Sequence, residues 1–294
     1  MPVSGYLVSA TTADELILHA FFVPSEPSKP AVLLIHGFTA NFYRLPYVHL
    51  LAQEVHGAGY AFLTANTRGH DIMATVYSTD PDRSARLGSA YERFEHSLLD
   101  LRAWLDWLEE QGHSRVVLLG HSLGAAKVAH YVARTQDPRV IGVGLLSPAD
   151  LTVLQRQEGE PFDQIVEWAQ RQVAKGQPDA LLLPPKPEYI PMSAATFLDF
   201  FGPNAPSHIF RFSTPDELWP CVPDIAVPLL ALLGTEGEYV PGDPKAALEA
   251  LARQARRTPS CTLRFLPGVR HNYRGHEEQV VAVVLSWLKD VLSD

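Results

Sequence analysis

Ser122 lies in the run Gly120-His121-Ser122-Leu123-Gly124, where an apolar, β-branched stretch (Val116–Leu119) meets a helical pattern starting at Ala125. A Gly-x-Ser-x-Gly bend between strand and helix holds its serine on a sharp, strained turn with the hydroxyl raised above the sheet. A serine hydroxyl is too weakly acidic to attack a carbonyl alone and needs a base within hydrogen-bond reach. His271, in the loop that follows the last strand-like run, is the expected base; His276 stands where the final helix begins and reads as a solvated or capping residue. An imidazole base predicts activity that falls as pH drops through about 6.5. A tetrahedral oxyanion needs backbone donors placed where its charge develops. The N–H of Leu123 is one expected donor, and the N–H of Phe38, in His36-Gly37-Phe38, is the other. His36 itself is expected to organise that loop and take no part in the chemistry.

Positioning these groups requires a particular order of elements. Tyr6–Ser9 and Ile17–Phe22 read as an antiparallel opening pair, and Ala31–Ile35 as a buried parallel strand. A helix near Pro46–Val55 and a strand Tyr60–Ala65 follow. Tyr91, Phe94, Leu98, Leu101, Leu105 and Leu108 recur at helical spacing and predict a helix over Ala90–Gln111, ended by Gly112. The helix 125–134, the strand Val140–Leu146, the strand Leu229–Leu233, a helix near Lys245–Arg256, the strand Thr262–Phe265 and a helix Glu277–Leu292 complete the series. Strands alternating with helices imply an α/β fold with a mainly parallel sheet of about eight strands, covered on both faces.

After Asp150 the alternation fails for some seventy residues that are rich in proline and aromatics, among them Phe162, Trp168, Phe197, Phe200, Phe201, Phe210, Phe212 and Trp219. Such a long interruption inside a compact domain is expected to form a lid or binding element. The division predicted is a core of residues 1–149 and 224–294, with a helical cap, 150–223, inserted after the sixth strand. The cap's aromatics either pack on one another or roof the serine.

Composition narrows the function classes. The chain has 294 residues, 46% of them hydrophobic, and a net charge of −9 with no basic cluster, so nucleic acid is not an expected partner. Cys221 and Cys261 have no metal-ligand company at zinc-site spacing and read as reduced core residues. Asp80-Pro81-Asp82 reads as a polar turn without enough ligands for a metal. No cofactor pattern is seen. Neither a secretory leader nor a membrane span is expected, and the default location is the cytoplasm.

His36-Gly37-Phe38, Thr67-Arg68-Gly69-His70, Gly120–Gly124, Gly234 and His271 stand in the order and spacing of the α/β-hydrolase superfamily, which the chain resembles over essentially its full length. Tyr91-Glu92-Arg93-Phe94-Glu95, Ser147-Pro148-Ala149-Asp150 and Glu238-Tyr239-Val240-Pro241 resemble a group of siderophore-ester hydrolases from fungi and bacteria. The resemblance implies a serine hydrolase acting on a small-molecule carboxylic ester or thioester, and the aromatics after Asp150 suggest an apolar or aromatic acyl group. It also implies a triad acid three residues after Gly234, where this chain has Gly237. Glu238 is the favoured substitute, with Glu236 and Asp150 as alternatives, because a carboxylate from a neighbouring position serves the same purpose of orienting the imidazole. In such proteins Arg68 and His70 border the pocket or hold their loop, and Asp71 occupies a position where many relatives carry glycine. Relatives that process haloalkanes or epoxides carry an aspartate nucleophile, which disfavours that chemistry here. An acyltransferase or carbon–carbon bond hydrolase would use the same residues, and a binding protein on a hydrolase scaffold is the alternative from another class. Oligomeric state is not legible.

Overall fold

The computed structural model describes residues 3–153, 160–182, 190–236 and 239–292. Its strands are β1 (Tyr6–Thr11), β2 (Ile17–Val23), β3 (Ala31–Ile35), β4 (Ala61–Ala65), β5 (Ala74–Tyr77), β6 (Ser84–Leu87), β7 (Val116–His121), β8 (Val140–Leu146), β9 (Leu181–Leu182), β10 (Met192–Ser193), β11 (Leu229–Glu236) and β12 (Cys261–Arg270). The helices are α1 (Val48–Gly57), α2 (Ser97–Glu110), α3 (Leu123–Thr135), α4 (Glu160–Ala174), α5 (Ala194–Phe201), α6 (Pro244–Gln254) and α7 (Glu277–Leu292). Eight strands form one sheet in the order β1-β2-β4-β3-β7-β8-β11-β12. The opening β1–β2 and β2–β4 pairings are antiparallel and the rest parallel, as expected of the unbroken apolar run in β3.

Both faces of the sheet are covered. Val32, Leu34, Val117, Leu119 and Leu232 pack on one side against Leu51 and Val55 of α1 and Val284, Trp287 and Leu288 of α7. Leu33, Ile35, Leu118 and Leu145 face the other way, toward Leu101, Trp104 and Leu105 of α2 and Val128 and Val132 of α3. Successive residues of a strand point to opposite faces, so an uninterrupted apolar run supplies both layers at once.

Two elements depart from the sequence expectation. The long helix starts at Ser97, after a single 3-10 turn at Phe94–His96, instead of at Ala90. Arg93 holds an extended backbone (φ −112°, ψ 131°), because its guanidinium and the neighbouring carboxylate are committed to tertiary partners described below. A β5–β6 hairpin also fills the stretch 74–87, where Val76 is the one residue of β5 that is buried. Asp80 and Asp82 sit in its polar turn, as expected, with Asp82 N–H donating to Asp80 Oδ1 at 3.0 Å.

The stretch between β8 and β11 carries α4, α5 and the short β9–β10 pair, and follows the sixth strand of the central sheet. Its aromatics pack largely on one another: Phe162, Phe197 and Phe201 form one cluster, and Phe212 meets Trp219 edge-on at 5.0 Å. Arg93 ties this stretch to the segment leading into α2, donating to Thr196 Oγ1 at 2.6 Å and to Asp179 Oδ1 at 3.0 Å. Phe94 N–H adds a bond to Asp199 Oδ2 at 2.8 Å.

Candidate active site

Ser122 sits between the end of β7 and the first residue of α3 with φ 57° and ψ −119°, a backbone conformation that L-residues rarely adopt. Such strain costs about 1–3 kcal/mol and persists only where the surroundings enforce it. Here they do. A Cβ at Gly120 would collide with the Gly124 backbone, and one at Gly124 with the carbonyls of Ile35 and His36. Strand and helix therefore approach more closely than any larger residue permits, and the turn between them has one available shape. Leu123, the first residue of α3, has a backbone N–H without an intrahelical acceptor, at the positive end of the helix dipole.

The loop after β3 reaches the same point. A Cβ placed on Gly37 would lie 2.9 Å from Ser122 Cβ and 3.0 Å from the carbonyl of His121, which brings the backbone leading to Phe38 against the serine. His36 organises this loop, as its sequence position suggests. Its Nδ1–H donates to Gly37 O at 2.8 Å, and its Nε2 accepts from Thr67 N–H at 3.1 Å. Burial, with Lys127 nearby, pushes its pKa down to about 3, so the ring is neutral at ordinary pH.

Beneath the loop lies a buried ion pair that the sequence did not reveal. Lys127 of α3 donates to Glu92 Oε2 at 2.6 Å and to Thr67 Oγ1 at 3.1 Å, and both charged side chains are nearly inaccessible. Removing one member of such a pair strands the other charge in a medium that cannot solvate it. Lys127→Met should therefore cost about 3–5 kcal/mol in urea unfolding. The double variant Lys127→Met/Glu92→Leu should recover most of that loss, and failure to recover it would assign the effect to packing.

Arg68, Asp71 and His70 hold the neighbouring loop. Arg68 is buried between Asp100, at 2.9 Å from Nε, and Asp14, at 2.7 Å from Nη1. Its role is structural, and the side chain is unavailable to a pocket. Asp71 takes φ 59°, the left-handed conformation expected where relatives carry glycine, and accepts from Asn41 Nδ2 at 2.8 Å. His70 Nδ1 lies 2.9 Å from the other Asp71 oxygen.

His271 lies just past β12, flanked by two rings: His121 at 5.1 Å and Tyr239 at 4.6 Å between centroids, the latter edge-on. Its carbonyl accepts from His121 Nε2–H at 2.9 Å and from Ser147 Oγ–H at 2.8 Å. Burial, reinforced by His121, pushes the imidazole down to about 3. His276 stands at the start of α7, where its carbonyl accepts from Gln279 and Val280 N–H, as anticipated for a helix-entry residue.

Of the three candidate acids, Glu238 lies outside the described residues. Glu236 is exposed at the end of β11, in register with Arg270. Asp150 is fully buried, and its carboxylate is occupied by Thr152 N–H at 2.9 Å, Thr152 Oγ–H at 2.6 Å and Ser213 N–H at 2.7 Å. It secures the entry to the inserted stretch. Cys221 and Cys261 are free thiols, each packed against the core. Burial pushes the Cys221 thiol up to about 11, which marks it as a packing residue. Among the described residues no group of three or more potential ligands is placed to hold a metal ion. No helix among them is long and apolar enough to cross a membrane.

The alpha/beta hydrolase family profile matches residues 32–284. The chain is a member of the alpha/beta hydrolase family. No curated protein sequence matches it. Among solved structures, it is similar to the siderophore hydrolase EstB from Aspergillus fumigatus, with a TM-score of 0.72 and 17% identity over 99% of this chain and 98% of that one. Est1E from Butyrivibrio proteoclasticus, solved with ferulic acid bound, gives 0.66 at 19% identity over 98% and 100% of the two chains. The Pyrococcus furiosus esterase Pf2001 gives 0.66 at 18% identity over 99% and 92%. At these identities the likeness establishes the hydrolase fold, and the chemistry has to be argued from this chain's own residues.

Proposed function

We propose that this hydrolase-family protein cleaves a small-molecule carboxylic ester or thioester through an acyl-enzyme, with Ser122 as nucleophile, His271 as base and Glu238 as the orienting acid. The observation that carries the reading is the strained Ser122 backbone at the strand-to-helix switch, pressed against the Gly37 turn. Ser122 Oγ attacks the acyl carbon while His271 accepts its proton, and the N–H groups of Phe38 and Leu123 receive the developing oxyanion. His271 then protonates the departing alcohol or thiol, and water repeats the sequence to release the acid. Burial keeps the His271 ring neutral in the resting protein, which is the form a base requires. Acyl transfer of this kind proceeds with no cofactor.

Residues 150–223 act in this reading as a cap. Phe200 of α5 lies 5.6 Å from Phe38, so the inserted stretch meets the oxyanion loop through an aromatic contact. That contact favours an apolar or aromatic acyl group.

A fluorophosphonate probe tests the assignment. Wild-type protein should label covalently and Ser122→Ala should not; equal labelling of the two would remove Ser122 as the nucleophile.

A further inference from the structure

Nucleophile and base come from distant parts of the chain, and one side chain connects them directly. His121 is the immediate neighbour of Ser122, and its Nε2–H donates at 2.9 Å to the main-chain carbonyl of His271, 150 residues away. The acceptor is a carbonyl, so the proton must be on Nε2, and the ring is the neutral tautomer. Burial holds it so, pushing its pKa down to about 4. Its other nitrogen, Nδ1, is buried with no hydrogen-bond partner and faces the Gly37 turn, 3.5 Å from where a Cβ on that glycine would stand. Leaving a buried acceptor unpaired costs about 1–3 kcal/mol. An apolar residue would avoid that cost, and what the imidazole supplies in exchange is a donor directed at His271 from the residue next to the nucleophile.

The segment bearing His271 needs such a tie. It is bracketed by Gly268 (φ 71°) and Gly275 (φ 81°), two left-handed positions where the backbone changes direction. Ser147 provides a second donor to the same carbonyl, at 2.8 Å, from a left-handed backbone (φ 47°) just beyond β8. Tyr47 and Tyr273 close the space behind the His121 ring, at 6.2 Å and 5.7 Å between centroids, so the donor cannot swing away.

We infer that His121 is a positioning residue, which sets the distance between Ser122 and the His271 imidazole by holding the His271 peptide plane from the residue next to the nucleophile. The inference rests on the Ser122–His271 reading and adds to it a residue outside the triad and the oxyanion donors. A displacement of about 1 Å between reacting groups can cost a hundredfold in rate. The hydrogen bond from position 121 is what prevents that displacement here.

The test uses the full chain, 4-nitrophenyl acetate and a fluorophosphonate. His121→Leu should lower kcat and the labelling rate by about 10–100-fold, in keeping with that sensitivity, with KM changed less than twofold. In His121→Gln the side-chain amide nitrogen stands the same number of bonds from the backbone as Nε2, so it should restore most of the rate. Ser147→Ala removes the second donor with little loss of packing and should lower kcat several-fold, which keeps the test decisive if the leucine variant does not fold. A His121→Leu protein that labels as fast as wild type overturns the inference, as does a glutamine variant no better than leucine, or an unchanged kcat in Ser147→Ala. A wild-type protein that does not label overturns the nucleophile assignment and takes this inference with it.

Discussion

Glu238→Gln is expected to lower kcat by about four orders of magnitude with KM nearly unchanged, the loss that follows when a triad carboxylate becomes an amide. In the proposed mechanism the amide cannot stabilise the imidazolium that forms as His271 takes the serine proton, and it favours the wrong tautomer. Glu238 is the acid favoured from the sequence, and the next residue, Tyr239, places a ring edge-on to His271 at 4.6 Å. Glu236 ends β11 on the exposed side, and Glu236→Gln should leave kcat within about threefold. Asp150→Asn should behave differently again. Its carboxylate accepts three hydrogen bonds, so an amide nitrogen there would face a donor and destabilise the inserted stretch. The expected signature is a lower melting temperature with kcat of the folded protein within tenfold. A four-order loss in Asp150→Asn or Glu236→Gln, with Glu238→Gln near wild type, would reassign the acid.

The fold and the strained serine turn were legible because each rests on local rules. The apolar run Ala31–Ile35 is of the type buried on both faces in a parallel sheet, and Gly120 and Gly124 flank a serine at a strand-to-helix switch. What was not legible depends on partners distant in sequence. Glu92 and Lys127 look like ordinary members of a helical pattern until α3 brings Lys127 within 2.6 Å of the carboxylate. Arg93 lies inside the helix predicted from the sequence, yet in the fold its guanidinium binds Thr196 and Asp179, and this holds the backbone extended. His121 occupies a position that the Gly-x-Ser-x-Gly pattern leaves open, so nothing local marks it. Its role becomes visible only once His271 arrives from the other end of the sheet. Arg68 was expected either to border the pocket or to hold its loop, and two carboxylates on opposite sides of its guanidinium decide for the loop.

Lowering the pH should unfold the protein between about pH 6 and 4, before the chemistry of His271 is titrated away. His36 and His121 are buried, with pKa values pushed down to about 3 and about 4, mainly by desolvation. In the unfolded chain both return to about 6.5. Above that value neither state is protonated and stability does not depend on these rings. Below it the unfolded chain takes up two protons that the folded protein refuses, so stability falls as pH falls. Each ring contributes about 1.4 kcal/mol per pH unit, and the pair about 3 kcal/mol per unit, until His121 begins to protonate in the folded state near 4. Two pH units of that slope are comparable with the whole stability of a typical domain, about 5–15 kcal/mol. His271, pushed down to about 3, and His208, also lowered by burial, act in the same direction and steepen the slope. Asp14 and Asp137, held down to about 2, add to the loss only below their unfolded value of 3.8. Urea titrations at pH 7, 6 and 5 should show unfolding free energy dropping by at least two protons' worth per unit at the acid end. His121→Gln should remove about one proton of that slope. A free energy of unfolding that stays constant from pH 7 to 5 would mean that the folded protein accommodates charged rings at these positions, and the neutral Nε2–H donor assigned to His121 would then be wrong.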